Sequence, residues 1–147
     1  MNEKELMIGD WVKATYTTID DNDNEHKCFT YAQVDSIGND GTFIGVEKCF
    51  SVKVTDDIDT DSLEEAYPIP LTTEILRKND FYYSDEEEDW VSIDDNLNLN
   101  LCELKGGSWY INIYIEDTVE LTFKYVHELQ HLLRLIGLSD LADNFKV

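Results

Sequence analysis

His127-Glu128-Leu129-Gln130-His131 is the one stretch of this chain whose residue types and spacing match a reaction. On a helix, two imidazoles four residues apart stand one turn apart on one face. There they can ligate zinc, while the intervening glutamate activates a metal-bound water. His127 and His131 are therefore the candidate metal ligands, with Glu128 as base if zinc is present. The pattern fixes only three positions, however, and a catalytic zinc takes a third protein ligand, usually from downstream. Residues 132–147 contain neither His nor Glu, and Arg134 stands where the extended zinc-peptidase signature has Gly. That puts a cation beside the metal and leaves Asp140, Asp143 or an acid from the first half as third ligand. The competing reading makes these residues the solvent face of an amphipathic helix, serving solubility or a partner. On that reading no catalytic residue is assigned and no cofactor is held.

Other metal patterns are weaker. Asp57, Asp59 and Asp61 alternate as in a calcium loop, but Ser62 takes the place of the turn glycine and Pro68 that of the bidentate glutamate. The stretch from Asp20 to Glu25 fails in the same way, with Glu25 at the turn and Tyr31 at the last position. There is no phosphate loop, dinucleotide fingerprint or GxSxG elbow. Cys28, Cys49 and Cys102 make no CxxC pair and are odd in number, so free buried thiols in a reducing cytoplasm are expected.

The elements that would carry these residues fall into two halves. Short strands separated by Gly-bearing turns fill the first: Asp10 to Tyr16, Tyr31 to Ile37, Thr42 to Val46 and Phe50 to Val54, with a hairpin turn over Gly38-Asn39-Asp40-Gly41. They suggest a small SH3-like β-barrel or curled sheet over residues 1–66. An acidic connector, Asp56 to Glu65, leads to Tyr67-Pro68-Ile69-Pro70-Leu71, held extended by its prolines. Thr72 then caps a short helix in which Ile75 and Leu76 face inward and which ends at Asn79-Asp80.

Residues 67–147 read as an α+β unit sharing the core or holding its own. Leu97, Leu99 and Leu101 alternate with polar residues, Lys105-Gly106-Gly107-Ser108 makes a hairpin turn, and Ile111, Ile113 and Ile115 line the return strand. Val119, Leu121 and Phe123 either extend that sheet or open the last helix. From Lys124 to Ile136 the period is helical, with Tyr125, Val126, Leu129, Leu132, Leu133 and Ile136 on one arc and both histidines roughly opposite it. Gly137 ends this helix, and Ser139 is placed to cap a final turn. The fold class expected is α+β: an N-terminal barrel-like or curled sheet, a linking helix, and a C-terminal antiparallel sheet with a terminal amphipathic helix.

Charge narrows the partners. Lys plus Arg number 11 against 32 Asp plus Glu, a net charge of -21. The aromatic content of 12% is too high for a disordered acidic chain, so the acid coats a folded body. Such a field repels phosphates and anionic membranes and attracts basic partners, so direct nucleic-acid binding is not expected. Met1 to Val12 lacks the basic and apolar regions of a signal peptide, and no apolar run approaches the ~20 residues that span a bilayer. A cytoplasmic protein that does not contact membranes is expected.

Three segments together resemble a known group. They are Glu5 to Val12, containing Gly9-Asp10-Trp11-Val12; Pro68-Ile69-Pro70-Leu71-Thr72 with Glu74-Ile75-Leu76 and Asn79-Asp80-Phe81; and Tyr125 to His131 with Leu133 and Gly137. The group comprises short, acidic, uncharacterised proteins carried by prophages and mobile elements of gut Bacteroidales. It has no assigned activity, so the resemblance transfers no catalytic residue. It implies a cytoplasmic phage or mobile-element accessory protein, and the charge adds the first functional expectation, binding of a protein partner through the acidic surface. A small-ligand sponge or sensor and a zinc-dependent hydrolase using the HELQH segment are the alternatives.

Overall fold

A computed structural model describes residues 6–37, 50–54, 56–92, 99–114 and 118–147. The expected strand Thr42 to Val46, its turn at Gly38 to Gly41, Leu97, Ile115 and Cys49 lie outside them. The described residues fold as two antiparallel sheets with three short α-helices. In order these are β1 (Trp11–Ile19), β2 (Glu25–Ile37), β3 (Phe50–Val54), β4 (Glu65–Pro68), α1 (Thr73–Lys78), β5 (Phe81–Ser84), β6 (Asp89–Ser92), β7 (Leu99–Glu103), β8 (Trp109–Tyr114), β9 (Thr118–Phe123), α2 (Val126–Leu135) and α3 (Ser139–Asp143).

The first sheet has the order β3-β2-β1-β4. Its β1–β2 hairpin runs in register from Trp11 opposite Gln33 to Ile19 opposite Glu25. Alternation along these strands sends Val12, Ala14, Ala32 and Val34 to one face, where Val52, Leu6 and Leu63 complete a buried cluster. Among the described residues no closed barrel forms. β3 and β4 lie at opposite edges with β1 and β2 between them, whereas closure needs the edges to pair.

The second sheet, β5-β6-β7-β8-β9, is a simple meander. The hairpin expected at Lys105 to Ser108 is present. Leu99 faces Ile113 and Glu103 faces Trp109, while Gly106 and Gly107 take the positive φ values (88° and 75°) that the turn requires. Val119 to Phe123 extend this sheet as β9. Leu99, Leu101, Trp109, Ile111 and Phe123 pack against Leu76, Val126, Leu129 and Leu133 in the larger of the two cores.

The linking segment seats α2. Val126 N–H donates to Ile69 O (2.9 Å) and Leu71 N–H to Lys124 O (3.0 Å), while the Trp109 indole donates to Leu71 O (3.0 Å). Helix α1 starts as expected, the Thr72 hydroxyl accepting from Ile75 N–H at 3.3 Å. Just past its end, buried Asn79 clasps the C-terminal segment after α3. It donates to Lys146 O (2.7 Å) and accepts from Lys146 N–H (2.8 Å). Helix α3 follows Leu138 at its N-cap with no side-chain cap, so Ser139 is its first residue and does not cap it. Among the described residues no helix is long and apolar enough to cross a membrane.

Candidate functional site

The HELQH segment lies in α2, but it is not a solvent face. His127 is 3% exposed and Gln130 fully buried, while His131 and Arg134 are half-covered. At 100° per residue Gln130, Arg134, His127 and His131 occupy one arc of roughly 100° beside the apolar arc. The expectation that the histidines point away from the protein therefore fails, because α2 is covered on two sides. Its apolar arc meets the second sheet, and its polar arc meets the start of β1.

The turn before β1 supplies the partner. Gly9 adopts φ 90° and donates its N–H to Val34 O at 2.7 Å. Asp10 follows, completely buried, its Oδ2 accepting from Met7 N–H at 2.7 Å. Across the junction His131 Nε2 lies 2.6 Å from Asp10 Oδ2, and Arg134 Nη1 donates to Asp10 Oδ1 at 2.6 Å. The same guanidinium donates through Nε and Nη2 to Asp143 Oδ1, at 3.1 and 3.0 Å. A buried carboxylate costs several kcal/mol unless paired and hydrogen-bonded. Here both of its oxygens are engaged.

Gln130 completes the contact with backbone partners only. Its Oε1 accepts from Trp11 N–H (3.0 Å), and its Nε2 donates to Gly9 O (3.1 Å) and Ala142 O (2.8 Å). The Trp11 indole N–H donates to Phe145 O at 2.5 Å, which ties β1 to the C-terminal segment after α3. The Gly9-Asp10-Trp11 and HELQH segments, both singled out in the sequence, are thus two sides of one junction. The Pro-Ile-Pro-Leu segment holds α2 from behind, through Ile69 and Leu71.

Glu128 serves the helix. Its Oε2 accepts from Lys124 N–H (2.7 Å) and Tyr125 N–H (2.9 Å), satisfying backbone donors that the first turn leaves open. His127 stacks on the Tyr125 ring (5.9 Å, 9°) and meets His131 edge-on at 5.8 Å. Zinc bound through His131 Nε2 would displace Asp10, and Glu128 could serve as base only by leaving the backbone it caps. Among the described residues no group of three or more His, Cys, Asp or Glu is placed to hold a metal. Of the first-half acids left open as a third ligand, Asp10 is the one that reaches this helix, and Arg134 reaches it too. Asp143 sits on Arg134, and Asp140 on the exposed side of α3.

A second concentration of chemistry lies at the far end of the first sheet, where two of the acidic connections lie on the side away from Asp10. The β1–β2 turn is built on Asp20, which accepts from Asn22 N–H (2.8 Å) and Asn24 N–H (3.0 Å) and meets His26 Nε2 at 3.0 Å. His26 first, then the Asn24 contacts, hold the Asp20 carboxyl well below the usual carboxylate range. Alongside it, Glu64 N–H donates to Thr15 O (2.8 Å) and the Glu64 carboxylate accepts from the Thr17 hydroxyl (2.7 Å). Asp56 accepts from Thr30 (2.6 Å), and Glu65 meets Lys27 at 2.9 Å. Asp21, Asp23, Glu25, Asp57, Asp59 and Asp61 are left facing solvent. Of the thiols, Cys28 and Cys102 are free and half-buried, more open than expected.

Sequence reasoning missed Asp10 as the partner of this helix, and Gln130 as the helix residue that bonds the β1 backbone. The available signal was Arg134, a scarce cation beside two histidines on one helical arc. In a chain with 32 acids such a group calls for a carboxylate. No family model matches the chain, and comparison with curated proteins and solved structures finds none similar to it.

Proposed function

We propose that this is a non-enzymatic accessory protein that binds a basic protein partner through the acidic end of its first sheet. One observation carries the reading. The connections 20–25 and 56–65 both lie on the side of the sheet away from the Asp10 junction, the second beside Thr15, Thr17 and Thr30 and the first beyond Ile19, with Asp21, Asp23, Glu25, Asp57, Asp59 and Asp61 exposed and Asp20, Asp56, Glu64 and Glu65 held by hydrogen bonds or an ion pair. Carboxylates held in place by backbone and hydroxyl donors present a fixed field, which steers a basic partner and sets its orientation. The HELQH segment supports the same reading, since its glutamate and second histidine serve the helix and the junction. On this proposal the two sheets act as one unit fastened at Asp10, and the protein belongs with phage or mobile-element accessory proteins of the cytoplasm.

The test is affinity capture from host lysate at low and high salt, comparing the wild type with a variant carrying Asp21→Asn, Asp23→Asn, Asp57→Asn and Asp59→Asn. A partner held by the wild type, released by salt and lost by the variant supports the proposal. Capture that survives neutralisation of the four carboxylates removes its basis.

A further inference from the structure

The outer face of the first sheet is the exception to the acidic surface. Opposite the buried Val12 and Ala14 face, the register lines up Lys53, Gln33 and Trp11 in one row and Tyr31, Lys13 and Tyr67 in the next. Phe29, Thr15 and Glu65 form the third row, and Lys27 and Thr17 the fourth. The C-terminal body covers Trp11 through Phe145 and Gln130. Beyond it the face lies open, with Phe29 at 53% exposure, Tyr67 at 43% and Tyr31 at 37%.

These rings are held in position. The Lys13 ammonium sits 3.9 Å above the Phe29 ring, and Phe29 meets Tyr31 edge-on at 5.9 Å. Glu65 takes Tyr67 OH at 2.6 Å and Lys27 Nζ at 2.9 Å. Lys27 holds the Glu65 carboxyl below its ordinary range. Across the four rows Lys13, Lys27 and Lys53 stand against Glu65 alone, with Glu64 at the rim on Thr17. In a chain with 11 cations and 32 acids, three lysines around three open aromatic rings are a local reversal of sign.

The same chain carries a matching feature. The β5–β6 hairpin has Tyr82 and Tyr83 exposed at 47% and 50%, followed by the exposed acids Asp85, Glu86, Glu87 and Glu88 at its tip. We propose that the aromatic-lysine face of the first sheet docks the acidic, tyrosine-bearing β5–β6 hairpin of a second copy, giving a head-to-tail self-association. Carboxylates at the tip would meet Lys13 and Lys53, and the Tyr82 ring, on the face of β5 opposite Phe81 and Tyr83, would pack on Phe29, Tyr31 and Tyr67. Charge complementarity selects this occupant over nucleic acid, because three lysines neutralise few phosphates while the remaining body repels them. The inference does not rest on the proposed basic partner, which uses the acidic end.

The open face spans roughly 14 Å across four strands and a similar length along them, less than a standard interface, so the association is weak and seen at high protein concentration. Both copies are strongly negative. Long-range repulsion opposes contact at low ionic strength and is screened beyond about 8 Å at physiological salt. Sedimentation velocity up to millimolar protein at physiological salt is the experiment. Two variants keep the contact testable: a face variant (Lys13→Glu, Phe29→Ser, Tyr31→Ser) and a hairpin variant (Tyr82→Ser, Glu86→Lys, Glu87→Lys). Circular dichroism checks that each is folded, and the charge-only pair Lys13→Glu with Lys53→Glu replaces a face variant that is not.

In a head-to-tail contact each variant alone associates at least about tenfold more weakly than the wild type. Mixed one to one, they restore a heterodimer, since one brings an intact hairpin and the other an intact face. Three results overturn the proposal: a wild type that stays monomeric throughout, a hairpin variant that associates like the wild type, or a mixture that restores nothing. Binding of an oligothymidine probe that is lost in the face variant would instead assign the face to single-stranded nucleic acid.

Discussion

Replacing Asp10 by Ala removes the acceptor on which the junction converges. Three donors lose it: Met7 N–H, His131 Nε2 and Arg134 Nη1, at 2.7, 2.6 and 2.6 Å. Hydrogen bonds to a charged group are each worth about 1.5–3 kcal/mol, but simple addition overshoots because the donors keep other partners. Arg134 retains Asp143, and His131, with 23% of its side chain exposed, regains water. Breaking a buried ion pair from one side costs about 3–5 kcal/mol, which is the loss expected for Asp10→Ala. That is a large part of the ~5–15 kcal/mol that holds a small protein folded. The assay is urea unfolding of Asp10→Ala, His131→Ala and the double variant, with slopes checked for constancy. His131→Ala alone should cost about 1.5–3 kcal/mol, and the double variant little more than Asp10→Ala, a coupling on the order of 1–3 kcal/mol. Losses that add within about 0.5 kcal/mol would show that the two residues do not act as a pair.

Three further outcomes follow from the same contacts. Gln130→Leu strands Trp11 N–H, while the Gly9 carbonyl keeps Gln33 Nε2 (3.3 Å) and the Ala142 carbonyl keeps Phe145 N–H (3.4 Å), and at about 1–3 kcal/mol for a stranded group it should lower the urea midpoint about as far as His131→Ala does. Gly9→Ala forces a side chain into φ 90° and sets its Cβ 2.9 Å from Arg134 Nη2. A loss exceeding about 1 kcal/mol is expected, and an unchanged midpoint would mean that the turn relaxes freely. Burial first, and then Asp89, push the Cys102 thiol above its ordinary value, so the neutral form is favoured in the fold. Its stability contribution is complete below the ordinary thiol pKa of about 8.5 and is lost as pH rises through the folded value. Alkylation of Cys102, followed by peptide mass analysis, should accordingly reach half its maximal rate above pH ~8.5, and a midpoint below that would contradict the direction.

Where a residue's structural partner lies close in sequence, the chain was readable. The Thr72 cap and its helix, the glycine turn between β7 and β8, and the helical period ending at Gly137 all rest on neighbours within a few positions, and each is present. The segment 118–123 was ambiguous because an alternating apolar pattern precedes a helix without a break, and pairing with β8 decides it. Barrel and curled sheet are not separable in the sequence, since strand count says nothing about whether the edges meet; among the described residues they do not. The site was the least legible part. Asp10 and His131 are 121 residues apart, and a helical wheel displays one apolar arc but not what covers the polar one. HELQH carried a strong association with zinc that its neighbours supply no third ligand to sustain. Its buried polar arc became visible only once β1 was laid against it.

The most direct test of that assignment is the stability of the purified protein with zinc added and with zinc chelated. If HELQH is a junction fastened to Asp10, the urea midpoint is the same in both, and Glu128→Gln lowers it equally with and without metal. If His127 and His131 form a zinc site, saturating metal at a hundredfold over its dissociation constant adds about 2.7 kcal/mol. Such a rise, abolished by His131→Ala, would contradict the account.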